Sequence, residues 1–437
     1  MRRIAAAMVL AGAVAVAALL AGAARSSSPT KLTIWVGWSA GNELTSFKAL
    51  AAEYDRAHPD ITVNVVGGIT DDKIVAAIRS GNAPDIASSF NSYNVGNYCG
   101  SGGWIDLAPL MAKDHISASI FPPAPRYYTQ YAGKRCALPL LADDYGLYYN
   151  KTMFKAAGIT HPPRTLDELT AFAKKLTIRN KDGSLKRVGF DPFIGFYENT
   201  PERWIVAFGG KWNDAKGHAI LAKNAAWTKW ANWQKSLIDW YGYKNLVRFQ
   251  AGLGDEFSAS QAFEAGKLAM NFDGEWRVSF IKHEHPTLSY GTAPMAVDAA
   301  NTNNYGAGYI NGTIIGIPRG GHHLAQSWAL VKYLTTNSHF LAQFSNDIRN
   351  VPTTTASLKS PEIKPDAHFA TFLQIFGDPH STTSPIMASG AAYTNLVQSF
   401  FQKWQAGQVG NLPSGLAKLD SQLDAQVAQA KGGGSVP

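Results

Sequence analysis

The amino-acid sequence predicts an α/β fold, in which helices pack on the faces of a mostly parallel sheet. Segments typical of strand and of helix alternate over residues 32–86, as repeated βαβ units require. Short continuous apolar runs, such as residues 137–142, suit strands that are buried on both faces. A chain of 437 residues also exceeds the usual size of one hydrophobic core, so more than one globular unit is expected.

The first 24 residues are expected to form a secretory signal peptide. Arg2 and Arg3 precede an apolar run of small residues that ends in a possible cleavage site at 21–23. A retained membrane anchor is the alternative. Residues 20–22 also resemble the start of a bacterial lipobox, but Ala23 replaces the cysteine that would be lipidated. We therefore expect an exported protein, in the periplasm or at the cell surface, that is not lipidated.

Three strands and two helices are predicted in the first hundred residues. The strands are expected at 32–35, at 61–66 and from Pro84-Asp85-Ile86 onward, and each is rich in apolar or β-branched residues. Leu44, Phe47, Ala51 and Tyr54 recur at helical spacing, and a second helix is expected at 72–80. The loop at 37–41 joins the first strand to the first helix.

A pair of acidic residues interrupts the apolar sequence in the middle of the N-terminal half. The run at 137–142 ends in Asp143 and Asp144, and a second β-prone run follows at 145–149. The acids are thus predicted to lie where the chain leaves one buried strand and enters another. Polar groups at such a junction form either a turn between strands or the lining of a cleft.

The later part of the chain is predicted to be mainly helical. Thr165 and Glu168 form a capping box at the start of a helix. Apolar residues at helical spacing predict further helices around 227–240, 324–334 and 416–427. Residues 431–437 contain a Gly-Gly-Gly-Ser run and are expected to form a flexible tail.

Charge and cysteine content exclude several classes of function. The net charge of +8 is modest for this length and no dense Lys/Arg run occurs, so nucleic-acid binding is not expected. No Cys/His cluster has zinc spacing, and no cofactor or hydrolase motif occurs, so neither metal nor cofactor is expected. Cys99 and Cys136 are expected to form a disulfide in an oxidising compartment, and two unpaired buried thiols are the alternative.

Several segments together resemble a known family. They read G-K-R-C-A-L-P at 133–139, L-Y-Y-N-K-T-M-F-K-A-A-G at 147–158, P-P-R-T-L-D-E-L at 162–169, F-E-A-G-K-L-A-M-N-F-D-G-E-W at 263–276 and G-A-G-Y-I-N-G-T-I-I-G-I-P at 306–318. This set resembles the extracellular solute-binding proteins of bacterial ABC sugar importers, the family that includes maltose-binding protein. The chain departs from the family pattern at Cys136, where an aromatic residue is usual, and at Leu166, where tryptophan is usual.

The resemblance implies a two-lobed periplasmic-binding-protein (Venus-flytrap) fold with discontinuous lobes and a hinge of about three crossing strands. The first lobe would contain residues 30–142 and 290–338, and the second residues 143–289 and 339–430. It also implies a monomer that captures a sugar or oligosaccharide between its lobes and delivers it to the permease subunits of an ABC importer.

The family positions imply a ligand wall of carboxylates, amides and aromatic rings, which suit the hydroxyls and C–H faces of a sugar. The implied ligand-binding residues are Trp38, Glu43, Asn91, Asp143, Asp144, Tyr145, Glu198, Trp204, Asp273, Trp276, Gly308, Tyr309 and Arg349. For individual members of this set the alternatives are a loop cap, a plain turn, core packing or a surface ion pair of little energetic consequence.

Two other kinds of function remain open. The same fold could bind a glycerol phosphodiester, for which only Arg349 offers a cation, or a polyamine, which would suit Asp143, Asp144 and Asp273. A secreted glycoside hydrolase is the other alternative. Adjacent residues of an extended chain point to opposite sides, so Asp143 with Asp273 would have to be the carboxyl pair. No motif demands this pair, so we expect a binding protein without catalytic residues.

Overall fold

The computed structural model describes residues 28–39 and 41–432. The expected signal peptide, with its cleavage site and Ala23, lies outside the described residues. Of the expected tail, residues 431 and 432 end the last helix, and residues 433–437 lie outside the described part.

Ten strands form one strongly curled sheet. They are β1 (Thr30–Trp35), β2 (Ile61–Val66), β3 (Ile86–Ser89), β4 (Leu138–Asn150), β5 (Ile178–Arg179), β6 (Leu185–Phe190), β7 (Leu268–Gly274), β8 (Tyr290–Ala293), β9 (Ile310–Gly316) and β10 (Val351–Pro352). The strand order is β2-β1-β3-β9-β4-β7-β6-β5, and β8 and β10 also pair with β4.

Helices cover both faces of the sheet. They are α1 (Gly41–Ala57), α2 (Asp71–Arg79), α3 (Val95–Gly100), α4 (Ala108–Lys113), α5 (Pro123–Tyr128), α6 (Lys151–Ala156), α7 (Leu166–Leu176), α8 (Pro201–Ile205), α9 (Ala225–Tyr241), α10 (Tyr243–Gln250), α11 (Arg277–Glu284), α12 (Leu324–Thr336), α13 (Ser338–Ile348), α14 (Thr355–Leu358), α15 (Ala367–Gly377), α16 (Ala391–Gln405) and α17 (Leu412–Gly432). Short 3₁₀ turns lie at Ser92–Asn94, Ala118–Ile120, Val206–Phe208 and Ala299–Asn304. Among the described residues, no helix has both the length and the apolar character that crossing a bilayer requires.

The expectation of a mostly parallel sheet holds only for part of the chain. Strand β1 pairs in parallel with β2 and β3, and β6 pairs in parallel with β7. All pairings of β4, as well as β3 with β9 and β5 with β6, are antiparallel. The βαβ pattern at 32–86 therefore predicts its own segment correctly, whereas the antiparallel pairs of β4 and the pair of β3 with β9 join strands that are far apart in sequence.

Strand β4 links the two halves of the sheet. Its first part pairs with β9 and β10, and its second part pairs with β7 and β8. The partner changes between Asp144, which lies opposite Ile310, and Tyr145, which lies opposite Gly274. The predicted junction between two strands is thus wrong in one respect, because one strand of 13 residues continues through the acidic pair without a turn.

Two separate hydrophobic clusters pack against the sheet, and the larger one extends over both halves, since it includes Ala87 of β3 as well as Phe272 of β7. In one, Leu32 and Ile34 of β1 pack with Phe47 of α1 and with α12 and α13. The other includes Trp227 and Trp230 of α9, together with apolar residues of α7, α16 and α17. The chain therefore has more than one core, as its length predicts.

The capping box at the start of α7 is confirmed. The Thr165 hydroxyl accepts a hydrogen bond from the Glu168 amide at 3.2 Å, and the Glu168 carboxylate accepts one from the Thr165 amide at 3.4 Å. We expect Thr165→Ala to lower the free energy of unfolding by about 1 kcal/mol, because an amide loses its partner. Urea denaturation measures this loss. Thr152→Ala, at an exposed helical threonine, should leave stability unchanged or slightly raised, and an equal loss in both variants would contradict the role of the cap.

The predicted disulfide is confirmed. Cys99 of α3 and Cys136, just before β4, are bonded and buried. The bond ties the start of the strand that links the two halves of the sheet to a helix that follows β3.

Candidate functional site

A cavity of about 470 Å³ lies beside the middle of β4, where the two halves of the sheet meet. One wall follows the carboxyl ends of parallel strands, with Gly37 and Trp38 after β1 and Phe90 and Asn91 after β3. Loops at the carboxyl ends of α/β strands are the usual place for a ligand. A β-carbon at Gly37 would overlap the Phe90 ring, so a larger residue here would have to displace that ring.

Seven of the thirteen residues implied by the sequence line this cavity. They are Trp38, Glu43, Asn91, Asp143, Tyr145, Glu198 and Trp276. They come from both halves of the sheet. Trp38 follows β1, Glu43 lies in α1 and Asn91 follows β3, whereas Glu198 follows β6 and Trp276 follows β7. The fold therefore brings together residues that are more than 200 positions apart.

The other six implied residues lie outside the cavity wall. Three of them are Asp144, Trp204 and Asp273. Asp144 is buried on the face of β4 opposite Asp143, as alternation along an extended strand requires. Trp204 packs behind the wall and donates its indole N–H to Asn199 at 3.0 Å. Asp273 turns away from the cavity and accepts a hydrogen bond from the Arg277 guanidinium at 2.9 Å.

The remaining three are Gly308, Tyr309 and Arg349. The Gly308 amide donates to the Ser381 hydroxyl at 2.9 Å, and the Tyr309 hydroxyl lies 3.0 Å from the Ser384 hydroxyl. Both are therefore held by the segment after α15. Arg349 ends α13 with a left-handed backbone (φ 65°), and its guanidinium is directed away from the cavity, toward the Lys364 carbonyl at 3.0 Å.

Sequence reasoning missed eleven residues of the cavity. They are Gly37, Ser39, Gly41, Phe90, Arg203, Phe257, Phe280, Glu284, Asn311, Thr313 and Asn350. Seven of these adjoin implied residues or lie within the segments that carry the family resemblance. Gly37 and Ser39 adjoin Trp38, and Phe90 adjoins Asn91. Arg203 adjoins Trp204, Asn311 and Thr313 belong to 306–318, and Asn350 adjoins Arg349. Those segments were the available signal, but the pattern alone does not say which neighbour faces the cavity.

The floor of the cavity is a hydrogen-bonded group of acids and an amide. The Asn350 side-chain N–H₂ donates to Asp143 at 2.7 Å and to Glu275 at 2.9 Å. The other oxygen of Glu275 accepts from the Asp144 backbone amide at 2.9 Å. The pKa of Asp143 is raised to about 7, mainly by burial and also by the nearby Glu198 carboxylate, and the hydrogen bond from Asn350 opposes this shift.

A buried ion pair stands next to this floor. Arg203 and Glu198 form a salt bridge, and the Arg203 guanidinium lies 4.1 Å from the centre of the Tyr145 ring. The Tyr145 hydroxyl donates to the side-chain amide oxygen of Asn311 at 2.9 Å. This chain of contacts holds charged, aromatic and amide groups of both halves of the sheet in fixed positions.

Internal hydrogen bonds decide which atom each cavity amide offers to a ligand. The Asn91 N–H₂ donates to Asp71 at 2.6 Å, which leaves its carbonyl oxygen as an acceptor. In Asn311 the carbonyl oxygen is engaged by Tyr145, which leaves the N–H₂ as a donor. The cavity thus offers fixed donors and acceptors, which suits a ligand that carries hydroxyl groups.

Glu43 adds a further carboxyl group to the wall. Burial raises the pKa of Glu43 to about 7, and the proximity of Asp143 contributes in the same direction. The carboxyls of Glu43 and Asp143 therefore both change protonation near neutral pH. Each can accept a hydrogen bond, and each can donate one when it is protonated.

Aromatic side chains frame the polar groups. Trp38 and Phe90 pack edge to face at 5.6 Å, and Phe257 and Phe280 lie 5.7 Å apart on the other side of the cavity. Trp276 packs edge-on against Tyr145 at 5.6 Å and lies over Gly274, where a β-carbon would overlap its ring. Ring faces beside fixed polar groups are typical of sites that bind small polar molecules with apolar faces.

One group of possible metal ligands lies near the cavity. Glu264, Glu284 and His285 each bring a ligand atom within 4.8 Å of the others. Glu264 already accepts from the Arg277 guanidinium at 3.2 Å, and the His285 Nε2 lies 2.8 Å from the Ala259 carbonyl oxygen. Since two of the three groups have partners, the geometry does not favour a metal.

Comparison with known proteins yields one family and several relatives. The family model for bacterial extracellular solute-binding proteins matches residues 49–371. The maltotriose-binding protein of Pyrococcus abyssi is 25% identical over 343 residues, which are 77% of this chain and 69% of that protein. The mannitol-binding protein of Pseudomonas aeruginosa is 24% identical over 414 residues, which are 91% of each chain.

Solved structures share the fold over almost the whole chain. CpMnBP1 with mannotriose bound is 25% identical and superposes with a TM-score of 0.80, covering 90% of this chain and 100% of the other. The GacH receptor of Streptomyces glaucescens, 20% identical with a TM-score of 0.73, covers 92% of this chain and 99% of the other and shows the same fold.

Proposed function

The chain belongs to the bacterial extracellular solute-binding protein family, and from this premise we propose that it captures a carbohydrate between two lobes and delivers it to an ABC importer. The observation that carries the proposal is the cavity beside β4. Its polar atoms are fixed by internal hydrogen bonds, and aromatic rings from both halves of the sheet frame them.

The fold is the two-lobed α/β fold of the structural neighbours, as the sequence predicts. For the lobe boundaries we keep the predicted ranges with two changes. Strand β8 falls within the range 290–338 assigned to the first lobe, but it pairs with the second part of β4. Helix α13 and strand β10 fall within the range 339–430 assigned to the second lobe, but α13 packs with β1 and α1, and β10 pairs with the first part of β4. We therefore propose that the chain returns to the first lobe after Ala293 and leaves it after Pro352.

The arrangement supports capture by closure of the lobes. The first lobe contributes Trp38 and Asn91 and the second contributes Glu198 and Trp276, so a ligand contacts both walls only when the lobes are closed. A ligand that binds the closed form better shifts the population toward that form. The closed form is then the state that a permease would recognise.

A panel of sugars tests this function. Maltotriose, mannotriose, mannobiose and mannitol should be compared by thermal unfolding and by tryptophan fluorescence, since Trp38 and Trp276 line the cavity. A true ligand at 100 times its Kd raises the free energy of unfolding by about 2.7 kcal/mol. If no mono-, di- or trisaccharide in a wider panel changes either signal, the carbohydrate proposal fails.

Trp276→Ala should weaken the best sugar of this panel by about thirtyfold, because a buried ring face worth about 2 kcal/mol is lost from the site. Isothermal titration calorimetry measures the affinity. Trp240→Ala is the matched control, since Trp240 is exposed on α9 and does not line the cavity. Equal affinities in the two variants would contradict a ligand contact at Trp276.

A small organic cation is a second candidate ligand. Among the described residues, Glu43, Asp143 and Glu284 line the cavity without a salt-bridge partner, and Arg203 is already paired with Glu198. Uncompensated carboxyls favour a cation and disfavour a glycerol phosphodiester. Putrescine and spermidine belong in the same panel, and a stronger response to them than to any sugar would favour this candidate. Of the acids first considered for a polyamine, only Asp143 lines the cavity.

We propose that the protein does not hydrolyse its ligand. The family and the structural neighbours are binding proteins. The carboxyl pair considered for hydrolysis, Asp143 with Asp273, is not supported, because Asp273 lies outside the cavity wall and is bonded to Arg277. Incubation with oligosaccharides of the panel, followed by chromatography, tests for cleavage.

The family places the protein outside the cytoplasm and in association with an ABC importer. We further propose that the mature chain is a monomer, as the family resemblance implies. We also propose that it has no lipid anchor and does not bind nucleic acid, as Ala23 and the modest charge predict. Mass spectrometry of the secreted protein distinguishes a cleaved chain from a lipidated or uncleaved one.

A further inference from the structure

Glu275 supports the cavity without being part of its wall. It follows β7 and is fully buried. One of its carboxyl oxygens accepts from the Asp144 amide at 2.9 Å, and the other accepts from Asn350 at 2.9 Å. Any effect of Glu275 on a ligand must therefore act through a neighbour.

Three separate passages of the chain meet at this carboxyl group. Asp143 lies in β4, Glu275 follows β7, and Asn350 precedes β10. The single N–H₂ group of Asn350 spans the two acids, with distances of 2.7 Å to Asp143 and 2.9 Å to Glu275. Strand β7, which ends before Glu275, and strand β10, which begins after Asn350, both pair with β4. This group therefore lies at the crossing between the lobes.

Among the described residues, no cation pairs directly with the acids of this group, although the charge of Arg203 lowers the pKa of Asp143. In the described part of the chain, no Lys, Arg or His forms a salt bridge with Asp143, Asp144 or Glu275. The titratable and charged groups that face Asp143 and Glu275 from the surrounding elements are Glu43, Tyr128, Asp144, Tyr145, Tyr148, Glu198 and Arg203. Arg203 is engaged by Glu198, and the nearby Arg277 is engaged by Asp273 and Glu264.

Two carboxyls that share one amide in a buried site without a directly paired cation cannot both be ionised at low cost. Because both accept from the one Asn350 N–H₂ group, the Asp143 and Glu275 carboxyls lie side by side. A proton held between them removes the repulsion and supplies the donor for a hydrogen bond between the carboxyls. It also fixes the Asp143 carboxyl in place below the cavity.

We propose that Glu275 is a positioning residue of the binding cavity: it shares a proton with Asp143 and, together with Asn350, holds the Asp143 carboxyl toward the ligand. Loss of that proton leaves two negative charges at the crossing between the lobes, which repel each other and displace Asp143. The inference rests on the proposed function, since it concerns affinity at the same site.

The direction of the pH dependence follows from burial. Burial raises the pKa of Glu275 well above its usual range, and Asp143 and Asp144 raise it further. The pKa of Asp143 is raised to about 7 by the same main cause. The stability contributed by the protonated pair is complete below the unfolded pKa values of about 4 and is lost as pH rises through the folded values. Affinity should fall in the same alkaline direction, with the pair titrating as a unit.

The experiment compares the wild type with Glu275→Gln, whose amide can still donate to Asp143 but cannot lose a proton near neutral pH. Asp144→Asn is the matched control, because it neutralises the next acid of the same strand on the face away from the cavity. The affinity for maltotriose or mannotriose, whichever binds the wild type more tightly, is measured from about pH 6 to pH 9.5. The free energy of unfolding is measured by urea denaturation over the same range.

We expect the wild type to lose about tenfold in affinity across this range, the change that one pKa unit represents. Asp144→Asn should keep this loss but show it at somewhat lower pH, because Asp144 contributes to the raised pKa of Glu275. Glu275→Gln should lose less than about threefold, and its stability should fall less with pH than that of the wild type. If Glu275→Gln only lowers stability and its affinity profile parallels the wild type, the positioning role is overturned. Should Glu275→Gln not fold, Glu275→Met is the second neutral variant, with the same flat profile expected.

The two proposals fail in different ways. If sugars bind the wild type but the profiles of all variants coincide, the carbohydrate function stands and the role of Glu275 is overturned. If neither sugar binds at any pH, the carbohydrate function fails. The unfolding data then decide, because equal pH dependence of stability in the wild type and Glu275→Gln overturns the shared proton.

Discussion

Arg277→Leu is expected to lower the free energy of unfolding by about 3–5 kcal/mol near neutral pH. The Arg277 side chain is fully buried at the start of α11. Its guanidinium donates to Asp273 at 2.9 Å, to Glu264 at 3.2 Å and to the Glu256 carbonyl oxygen at 2.8 Å. Removal of the arginine leaves Asp273 and Glu264 buried without their cation.

The loss should depend on pH. Burial raises the pKa of Asp273 to about 6 and that of Glu264 to about 7, although Arg277 opposes both shifts. Without the arginine the two pKa values rise further, so more stability is lost as pH increases from about 4 through 7. At about pH 5 the carboxyls of the variant are largely protonated, and the difference from the wild type should be smaller than at pH 7.5.

Urea denaturation at these two pH values measures the effect. Arg248→Leu is the control, because Arg248 is exposed on α10 and belongs to no salt bridge within the described residues. Addition of Asp273→Asn to Arg277→Leu should recover part of the loss at pH 7.5, since one buried charge is removed. If the double variant is no more stable than Arg277→Leu, the loss comes from packing of the arginine stem and not from uncompensated charge.

Local patterns in the sequence predict the elements of the fold but not the pairing of distant strands. The apolar runs at 32–35 and 61–66 and the capping box at Thr165 act within a few residues, and all three were predicted correctly. The antiparallel pairs of β4 depend on segments more than 100 residues away, such as β7 and β9. No period within β4 reveals that its partners change between Asp144 and Tyr145.

The candidate site shows the same limit at the level of single residues. Family positions led to Arg349, whereas the neighbouring Asn350 lines the cavity, and they led to both Asp143 and Asp144, of which only Asp143 lines it. Neighbours on an extended or turning chain point in different directions, so an error of one residue exchanges a cavity group for a buried one. Glu275 was missed because its role depends on Asn350, 75 positions later, and not on its own segment.

Loss of the disulfide is expected to have the second large effect on stability. Cys99 and Cys136 close a loop of 37 residues, and the loop-entropy model assigns such a bond about 3–4 kcal/mol. The double variant Cys99→Ala with Cys136→Ala should lose this amount in urea denaturation. The variant also leaves the segment before β4 less restrained. The dissociation constant for the sugar should nevertheless change by a smaller factor than the folding equilibrium constant, because Asp143 of the cavity floor lies within β4, after Leu138.

Reduction offers an independent measurement of the same bond. Both sulfurs are buried, so dithiothreitol should act on the native wild type slowly and on the unfolding protein quickly. The midpoint of urea unfolding of the wild type in dithiothreitol should therefore approach that of the double alanine variant, whose own midpoint should not change on reduction. A double variant as stable as the oxidised wild type would contradict the estimate, since the unfolded chain would then gain nothing from the open loop. The double variant could instead be less stable than the wild type by the same amount whether the wild type is oxidised or reduced. That result would place the effect in the packing of the two side chains, which the alanines truncate in either redox state.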